Sequence, residues 1–512
     1  MQDTKSQIAV EMKNIYKTFE INGLALENAS LKVKKGTVHA LLGENGAGKT
    51  TMMNILYGLC GKDAGEIYIN GEKVEIKNPH DAISFGIGMV HQHFKLVENF
   101  TVAQNIMLGE EQTNKFGILD LNKIKEKINL LIEKYGLKVD LDAKIEDISV
   151  GMQQRVEILK MLYRGAEFLI LDEPTAVLTP QETDDLIKIM KKLSESGKTI
   201  IIITHKLKEI KNSAEYCTII RKGKDIDTVL VKDTSENTLA SKMVGREVNL
   251  KVYKEKANFG EVVFSVENLT IEDDRNKGKN LLKDLSFEIH KGEIFGIAGV
   301  DGNGQKELVE AIVGLRKIHT GKIKINKKEI QNKKTREIIK NKIAIIHEDR
   351  QKRSIILDMT VAENAVLEKY RDSEFSSKKF LNYKNINKFT KSIIYEYDIN
   401  PKNSEKMAIK SLSGGNQQKL VIGREIAKEP DLLIAVQPTR GLDVGAIEYV
   451  HKILVQERDK GKAILLISLE LDEILNLSDT LAVIYNGEIT RKFKAGEVSE
   501  KTVGLLMAGG KI

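Results

Sequence analysis

Gly43-Glu-Asn-Gly-Ala-Gly-Lys49-Thr50-Thr51 sets glycines ahead of a lysine and two hydroxyls, the spacing of a loop built to hold phosphate. Glycines let backbone N–H groups converge on phosphate oxygens, and a helix beginning at the end of the loop adds partial positive charge. Lys49 is expected to reach the β and γ phosphates, and the Thr50 hydroxyl to ligate Mg²⁺. Gly43, Glu44, Asn45, Gly46, Ala47, Gly48 and Thr51 complete the nucleotide-binding loop. The same pattern arises in plain glycine-rich turns. Here an apolar, strand-length run precedes it and the helix-like run Met52-Met-Asn-Ile-Leu-Tyr-Gly-Leu59 follows, which is the context phosphate binding requires.

A second constellation ends the apolar run Phe168-Leu-Ile-Leu-Asp172-Glu173-Pro174. Acids at the tip of a buried strand are costly unless they act. Asp172 is the candidate to position Mg²⁺ through water, and Glu173 the general base on an attacking water; the plainer alternative is two exposed turn acids. Thr199–Thr204 leads to His205. A histidine at a strand tip is more often structural, but its expected place beside the carboxylate strand favours a γ-phosphate contact. Gln92, in Met89-Val-His-Gln-His93, is the candidate to sense Mg²⁺ and water, although a loop glutamine alone is unremarkable.

These residues need strands that end together. Apolar strand candidates alternate with longer amphipathic segments: His39–Leu42, Phe168–Leu171 and Thr199–Ile203, then Ile294–Ala298, Leu432–Val436 and Ala463–Ile467. That alternation predicts an α/β fold with a mainly parallel core sheet. The chain also repeats itself. Gly36-Thr-Val-His-Ala-Leu-Leu-Gly43 is echoed by Gly292-Glu-Ile-Phe-Gly-Ile-Ala-Gly299, and Ser149-Val-Gly151 by Ser413-Gly-Gly415, giving two halves of about 250 residues. Residues 1–246 form the first domain, 247–260 a polar linker and 261–512 the second domain. So short a link suits domains that stay packed together.

Composition excludes several classes. The 80 basic and 73 acidic residues are interspersed, so the lysine pairs read as solvated faces and no nucleic-acid partner is expected. Cys60 and Cys217 are far apart, without metal or disulfide spacing, so no metal cluster is expected and a reduced cytosolic compartment fits. The N-terminal stretch has no apolar signal core, and the longest apolar runs fall short of the ~20 residues of a spanning helix. If the protein serves a membrane process, other chains supply the spanning helices.

The phosphate loop, Gln92, Ser149-Val-Gly-Met-Gln-Gln154, Asp172-Glu173 and His205 stand in the order of an ABC transporter ATPase domain, which the chain resembles over nearly its whole length. The second half has the commoner signature form, Leu412-Ser-Gly-Gly-Asn-Gln-Gln418. The resemblance implies two tandem P-loop ATPase domains, each with a mainly parallel core sheet, an antiparallel β subdomain and a helical insert. Such domains pair head to tail, with each ATP between one phosphate loop and the other domain's signature. Ser413, Gly414 and Gly415 would then complete the first half's site, with Asp443 an added candidate. Phe19, placed ahead of the first strand pair, is a candidate to stack on adenine, with core packing as an equal contender.

The second half lacks the chemistry. Gln305 stands where Lys49 stands and Lys306 where Thr50 stands. Val436 replaces Asp172, Gln437 replaces Glu173, Leu469 replaces His205 and Glu348 replaces Gln92. A neutral glutamine is no general base and valine holds no Mg²⁺, so one hydrolytic site per chain is expected. For the other pocket, which would pair Ser149 and Gly151 with the defective loop and has Thr179 in place of Asp443, two readings stand: it holds nucleotide, or it only closes the dimer.

The inserts, Phe94–Ile148 and Asp349–Leu412, are expected to be largely helical, with Thr101 and Thr360 as matched N-caps. By resemblance they dock onto two integral-membrane permease subunits, which places the chain on the cytoplasmic face of the membrane. A degenerate second half resembles importers of simple sugars and nucleosides. The signature regions look closest to the nucleoside branch, which works with an extracytoplasmic substrate-binding lipoprotein; ribose, galactose or xylose uptake is the alternative. A soluble tandem ATPase acting on ribosomes would carry a long charged linker and two competent sites. A DNA-repair ATPase of this fold would show cysteine pairs or coiled coils.

Overall fold

The structure is a computed structural model that describes residues 7–19, 23–91, 94–113, 119–175, 178, 180–248, 252–273, 278–377 and 380–510. The chain divides into two units, Met1–Val248 and Asn249–Ile512.

In the first unit a six-stranded sheet runs in the order Lys224–Leu230, Tyr216–Arg221, Val38–Leu42, Thr199–Ile203, Phe168–Asp172, Ile87–Val90. All pairings are parallel except that of the Lys224–Leu230 edge. Val38–Leu42, Ile87–Val90, Phe168–Asp172 and Thr199–Ile203 are buried along their whole length, as expected where both faces of a sheet are covered, so they read as largely apolar runs. A four-stranded antiparallel sheet, ordered Gly23–Lys34, Ile8–Phe19, Ala64–Ile69, Glu72–Val74, lies over it. Helix Lys49–Leu56 buries Met52, Met53, Ile55 and Leu56 in a core shared with Met12 and Leu31 of the antiparallel sheet and Leu41 and Ile201 of the parallel one. That packing on two sides fixes where the N-terminus of the helix points.

The second unit repeats the plan. Its parallel sheet is ordered Ile343–Ile346, Leu432–Val436, Ala463–Ser468, Ile294–Ala298, Thr480–Tyr485, Glu488–Lys494, with an antiparallel sheet of Asn280–His290, Val262–Glu272, Thr320–Ile325 and Lys328–Glu329. Helix Gln305–Ile312 is packed between them through Leu308, Val309, Ala311 and Ile312.

Several expectations are refined. Asp172 is the last residue of its strand rather than the first beyond it, and Ser468 extends the strand expected to end at Ile467. Phe19 does not precede the first strand pair; it ends the first strand of that pair. The first insert holds helices Val102–Met107 and Leu121–Tyr135. The second adds a short hairpin, Ser376–Ser377 with Phe380–Leu381, to helices Val361–Ala365 and Tyr383–Glu396. Thr101 and Thr360 each close a capping box, accepting from Gln104 N at 3.3 Å and Glu363 N at 3.1 Å while those residues' side chains accept from the threonine N–H.

Part of the stretch expected as linker is anchored to the second unit. Lys254 Nζ donates to Leu477 O, Ser478 O and, at 3.2 Å, Asp479 Oδ1. Arg458, 2% exposed, donates to Glu255 O at 3.1 Å and to Asp479 Oδ1 at 2.9 Å. No helix among the described residues is long and apolar enough to cross a membrane.

Candidate active site

The phosphate loop of the first unit joins strand Val38–Leu42 to helix Lys49–Leu56. Gly48 has φ +106°, a conformation L side chains rarely adopt, and a Cβ there would lie 2.6 Å from Leu26 Cδ2. Lys49 is buried, and its Nζ donates to Gly43 O at 2.7 Å and Glu44 O at 2.9 Å, closing the loop on itself. Burial pulls its ammonium below the usual lysine range, opposed by Glu173, Asp172 and Glu44. Thr50 is exposed on the first turn of the helix and Thr51 half-buried.

Asp172 and Glu173 stand at the carboxyl end of the central strands, the edge at which open α/β sheets bind ligands. Asp172 is 7% exposed, and burial together with the neighbouring Glu173 pushes its carboxyl up to about 6. Glu173 has φ +46°, rare for a residue with a side chain, and its N–H donates to Ile203 O at 2.9 Å. That bond ties the turn to the neighbouring strand, which delivers His205. His205 Nδ1 lies 3.0 Å from Glu173 Oε1, and this hydrogen bond holds the Glu173 carboxyl below its usual range. An ionised carboxylate only accepts, so Nδ1 carries the proton.

A residue the sequence reading missed stands behind this pair. The buried Glu209 carboxylate accepts from the Thr175 hydroxyl just past Glu173 and, at 2.9 Å, from the Thr204 hydroxyl just before His205. Lys206 Nζ lies 3.6 Å from it. Glu209 thus bridges the two turns that carry Glu173 and His205. The signal available in the sequence was an acid at the same place in each half, Glu209 and Glu473, four residues past the His205 and Leu469 positions.

The second unit keeps the frame without the groups. Gly304 has φ +109°, matching Gly48, and Gln305 Nε2 donates to Val300 O at 3.1 Å, where Lys49 bonds Glu44 O. Glutamine braces the loop without charge. Gln437 has φ +43° and its N–H donates to Ile467 O at 2.7 Å, repeating the backbone of Glu173. Its amide donates to Glu348 Oε2 at 3.2 Å, while Leu469 is 37% exposed and contributes no polar group.

Of the other expected residues, Ser413 is the N-cap of helix Gly414–Ile426, accepting from Asn416 N at 3.4 Å, with Gly414 and Gly415 in its first turn. Phe19 is 36% exposed with Lys17 Nζ 5.3 Å from its ring centroid, so it is not a core residue. Gln92 and Thr179 lie outside the described residues. Among the described residues no three His, Cys, Asp or Glu side chains gather as a metal cage. One buried carboxylate beside a hydroxyl-bearing phosphate loop could hold a divalent cation that binds through few carboxylates with water and phosphate, as Mg²⁺ does.

The ABC transporter family model matches residues 26–176 and 282–440. The guanosine import ATP-binding protein NupO of Bacillus subtilis (strain 168) is 52% identical over 98% of this chain and 98% of its own length. The nucleoside import ATP-binding protein NupA of Lactococcus lactis subsp. cremoris (strain MG1363) is 50% identical over 99% of each. Among solved structures, that of an RNase-L Inhibitor has a TM-score of 0.61 over 97% of this chain and 93% of its own, at 19% identity, a likeness of fold alone.

Proposed function

The chain belongs to the ABC transporter family, and we propose that it is the ATP-hydrolysing subunit driving nucleoside uptake through a membrane importer. In the first unit alone, ammonium, paired carboxylates and histidine meet, and that convergence carries the proposal. Lys49 exchanges its carbonyl partners Gly43 and Glu44 for phosphate oxygens, with Gly43 to Thr51 wrapping the polyphosphate. Thr50, Asp172 and Gln92 would hold Mg²⁺, which neutralises charge on the phosphates. Glu173, kept ionised by His205, accepts the proton of the water that attacks the terminal phosphate, and ATP is cleaved to ADP and phosphate. Ser413, Gly414 and Gly415 contact that terminal phosphate in the family's head-to-tail pairing, and Phe19 stacks on adenine.

The names borne by two full-length relatives at half identity support nucleosides as cargo. The importer's two permease subunits and its extracytoplasmic binding lipoprotein supply the membrane path and the capture of cargo, and this chain sits at the cytoplasmic face. Membranes containing the chain and its copurified partners test this. ATP-driven accumulation of labelled guanosine, unaffected by excess ribose, is expected. Accumulation of ribose without guanosine would refute nucleoside uptake, and recovery of the chain with ribosomes instead of membrane proteins would refute import.

A further inference from the structure

The two signature turns carry opposite charge. In the first unit, Ser149 Oγ donates to Glu182 Oε1 at 3.3 Å, and a Cβ on Gly151 would lie 2.4 Å from the same oxygen. The Glu182 carboxylate therefore lies over the N-terminus of helix Val150–Tyr163, where an anion is favoured. In the second unit the matching residue is Ala446, whose methyl lies 3.2 Å from a Cβ placed on Gly415. Glu182 and Ala446 hold the same place in matching helices, Pro180–Glu195 and Val444–Asp459.

A cation takes the carboxylate's place. Arg350, four residues past the strand Ile343–Ile346, lays its guanidinium on Gly414, where a Cβ would lie 2.5 Å from Nη2. Nη1 donates to Arg440 O at 3.2 Å, and Nε is buried with no partner. Asp443 also faces this turn, its Oδ2 4.0 Å from a Cβ placed on Gly415 while its Oδ1 accepts from Ala446 N at 2.7 Å; Asp349 Oδ1 accepts from Gln351 N and Lys352 N at 3.1 Å, and Glu348 Oε2 from the Gln437 amide at 3.2 Å. The corresponding position of the first unit is Phe94, and Val150 stands where Gly414 leaves room for the arginine. Three positions thus change together: Phe94, Val150 and Glu182 against Arg350, Gly414 and Ala446.

The second turn is also better braced. Gln418 Nε2 donates to Pro438 O at 2.7 Å, whereas both amide atoms of the buried Gln154, its counterpart, have no partner among the described residues.

Resting on the ATP chemistry proposed for this chain, we infer that these two side chains decide which signature turn accepts a nucleotide's terminal phosphate: Arg350 recruits it, and Glu182 holds its place on the first turn and repels it. Arg350 is then a phosphate-contacting residue outside the signature itself. A guanidinium matches phosphate oxygens bidentately.

Equilibrium binding and steady-state turnover of the full chain test this. Arg350→Ala weakens ATP about 10- to 100-fold, the size of a charge-assisted contact, and raises the ATP concentration for half-maximal turnover likewise. ADP, lacking the terminal phosphate, binds as before, and Arg350→Lys recovers part of the loss. Equal weakening of ATP and ADP would make Arg350 a brace for the Arg440 turn and overturn the inference, as would unchanged ATP binding. Glu182→Ala raises binding of a non-hydrolysable ATP analogue from one equivalent per chain towards two; an unchanged stoichiometry overturns the assignment of Glu182. Lys49→Ala separates the two levels. Turnover that survives it sinks the hydrolytic scheme, whereas turnover lost there but indifferent to Arg350 sinks only this inference.

Discussion

Both units build the same turn at the end of the same strand, with Glu173 at φ +46° and Gln437 at φ +43°, yet only one turn ends in an acid. The phosphate loops differ the same way, since Lys49 and Gln305 both donate to loop carbonyls and only Lys49 brings charge. Shape and charge are thus separable: the backbone cradle is set by glycines and by packing between two sheets, and survives the loss of the lysine, the paired carboxylates and the histidine. A well-formed phosphate loop is therefore weak evidence of hydrolysis. The evidence is the hydrogen-bonded set around it.

The sharpest way to break this comparison is to remove the acid from one turn and the amide from the other. Glu173→Gln is expected to lower turnover about 1,000-fold, as for loss of a general base, while retaining ATP binding. Gln437→Ala is expected to leave turnover within about twofold, since among the described residues its amide bonds Glu348 and its backbone bonds Ile467 and Arg440. Equal losses would end the one-site scheme.

The residues behind the turns come next. Glu209 bridges Thr175 and Thr204, whereas its counterpart Glu473 turns to His451 Nε2 at 2.9 Å. Glu209→Gln should cost about 10- to 100-fold in kcat with little change in KM, because a displaced base is a positioning loss. Glu473→Gln should leave kcat alone. A shift in KM rather than kcat for Glu209→Gln would mean that it shapes binding instead.

The smallest effect lies in the phosphate-loop strands. His39 is buried in the first, with Nε2 2.8 Å from Thr218 Oγ1, and burial pushes it down to about 4; the second unit has Phe295 there. The ordinary value is 6.5, so the unfolded chain takes up a proton that the folded one refuses. Stability from this group is full above pH 6.5 and drains away as pH falls towards 4, by at most about 3 kcal/mol. His39→Phe should flatten that decline in melting temperature between pH 7.5 and 5; an unaltered slope would assign the acid sensitivity elsewhere.

The repeat, the parallel strands and the chemistry-bearing residues were legible because they depend on local pattern: apolar runs buried on both faces, and glycines at fixed spacing. The exposure of Phe19 and the anchoring of Lys254 were not, since both depend on which side chains the folded chain brings alongside. Glu209 was missed for a similar reason. A buried carboxylate between two threonines looks, in sequence, like one more acid on the face of an amphipathic helix. The sign of charge over each signature turn required three distant positions at once, Phe94, Val150 and Glu182 against Arg350, Gly414 and Ala446.

The hold of Asp479 and Arg458 on residues 254 and 255 bears on how the molecule can be dissected. A fragment begun at Glu261, where regular strand is about to start, would discard the lysine and the Glu255 carbonyl, leaving the Arg458–Asp479 pair intact but each short of one hydrogen-bond partner, at a cost of about 1–3 kcal/mol. Begun at Val252, the same fragment carries its own latch.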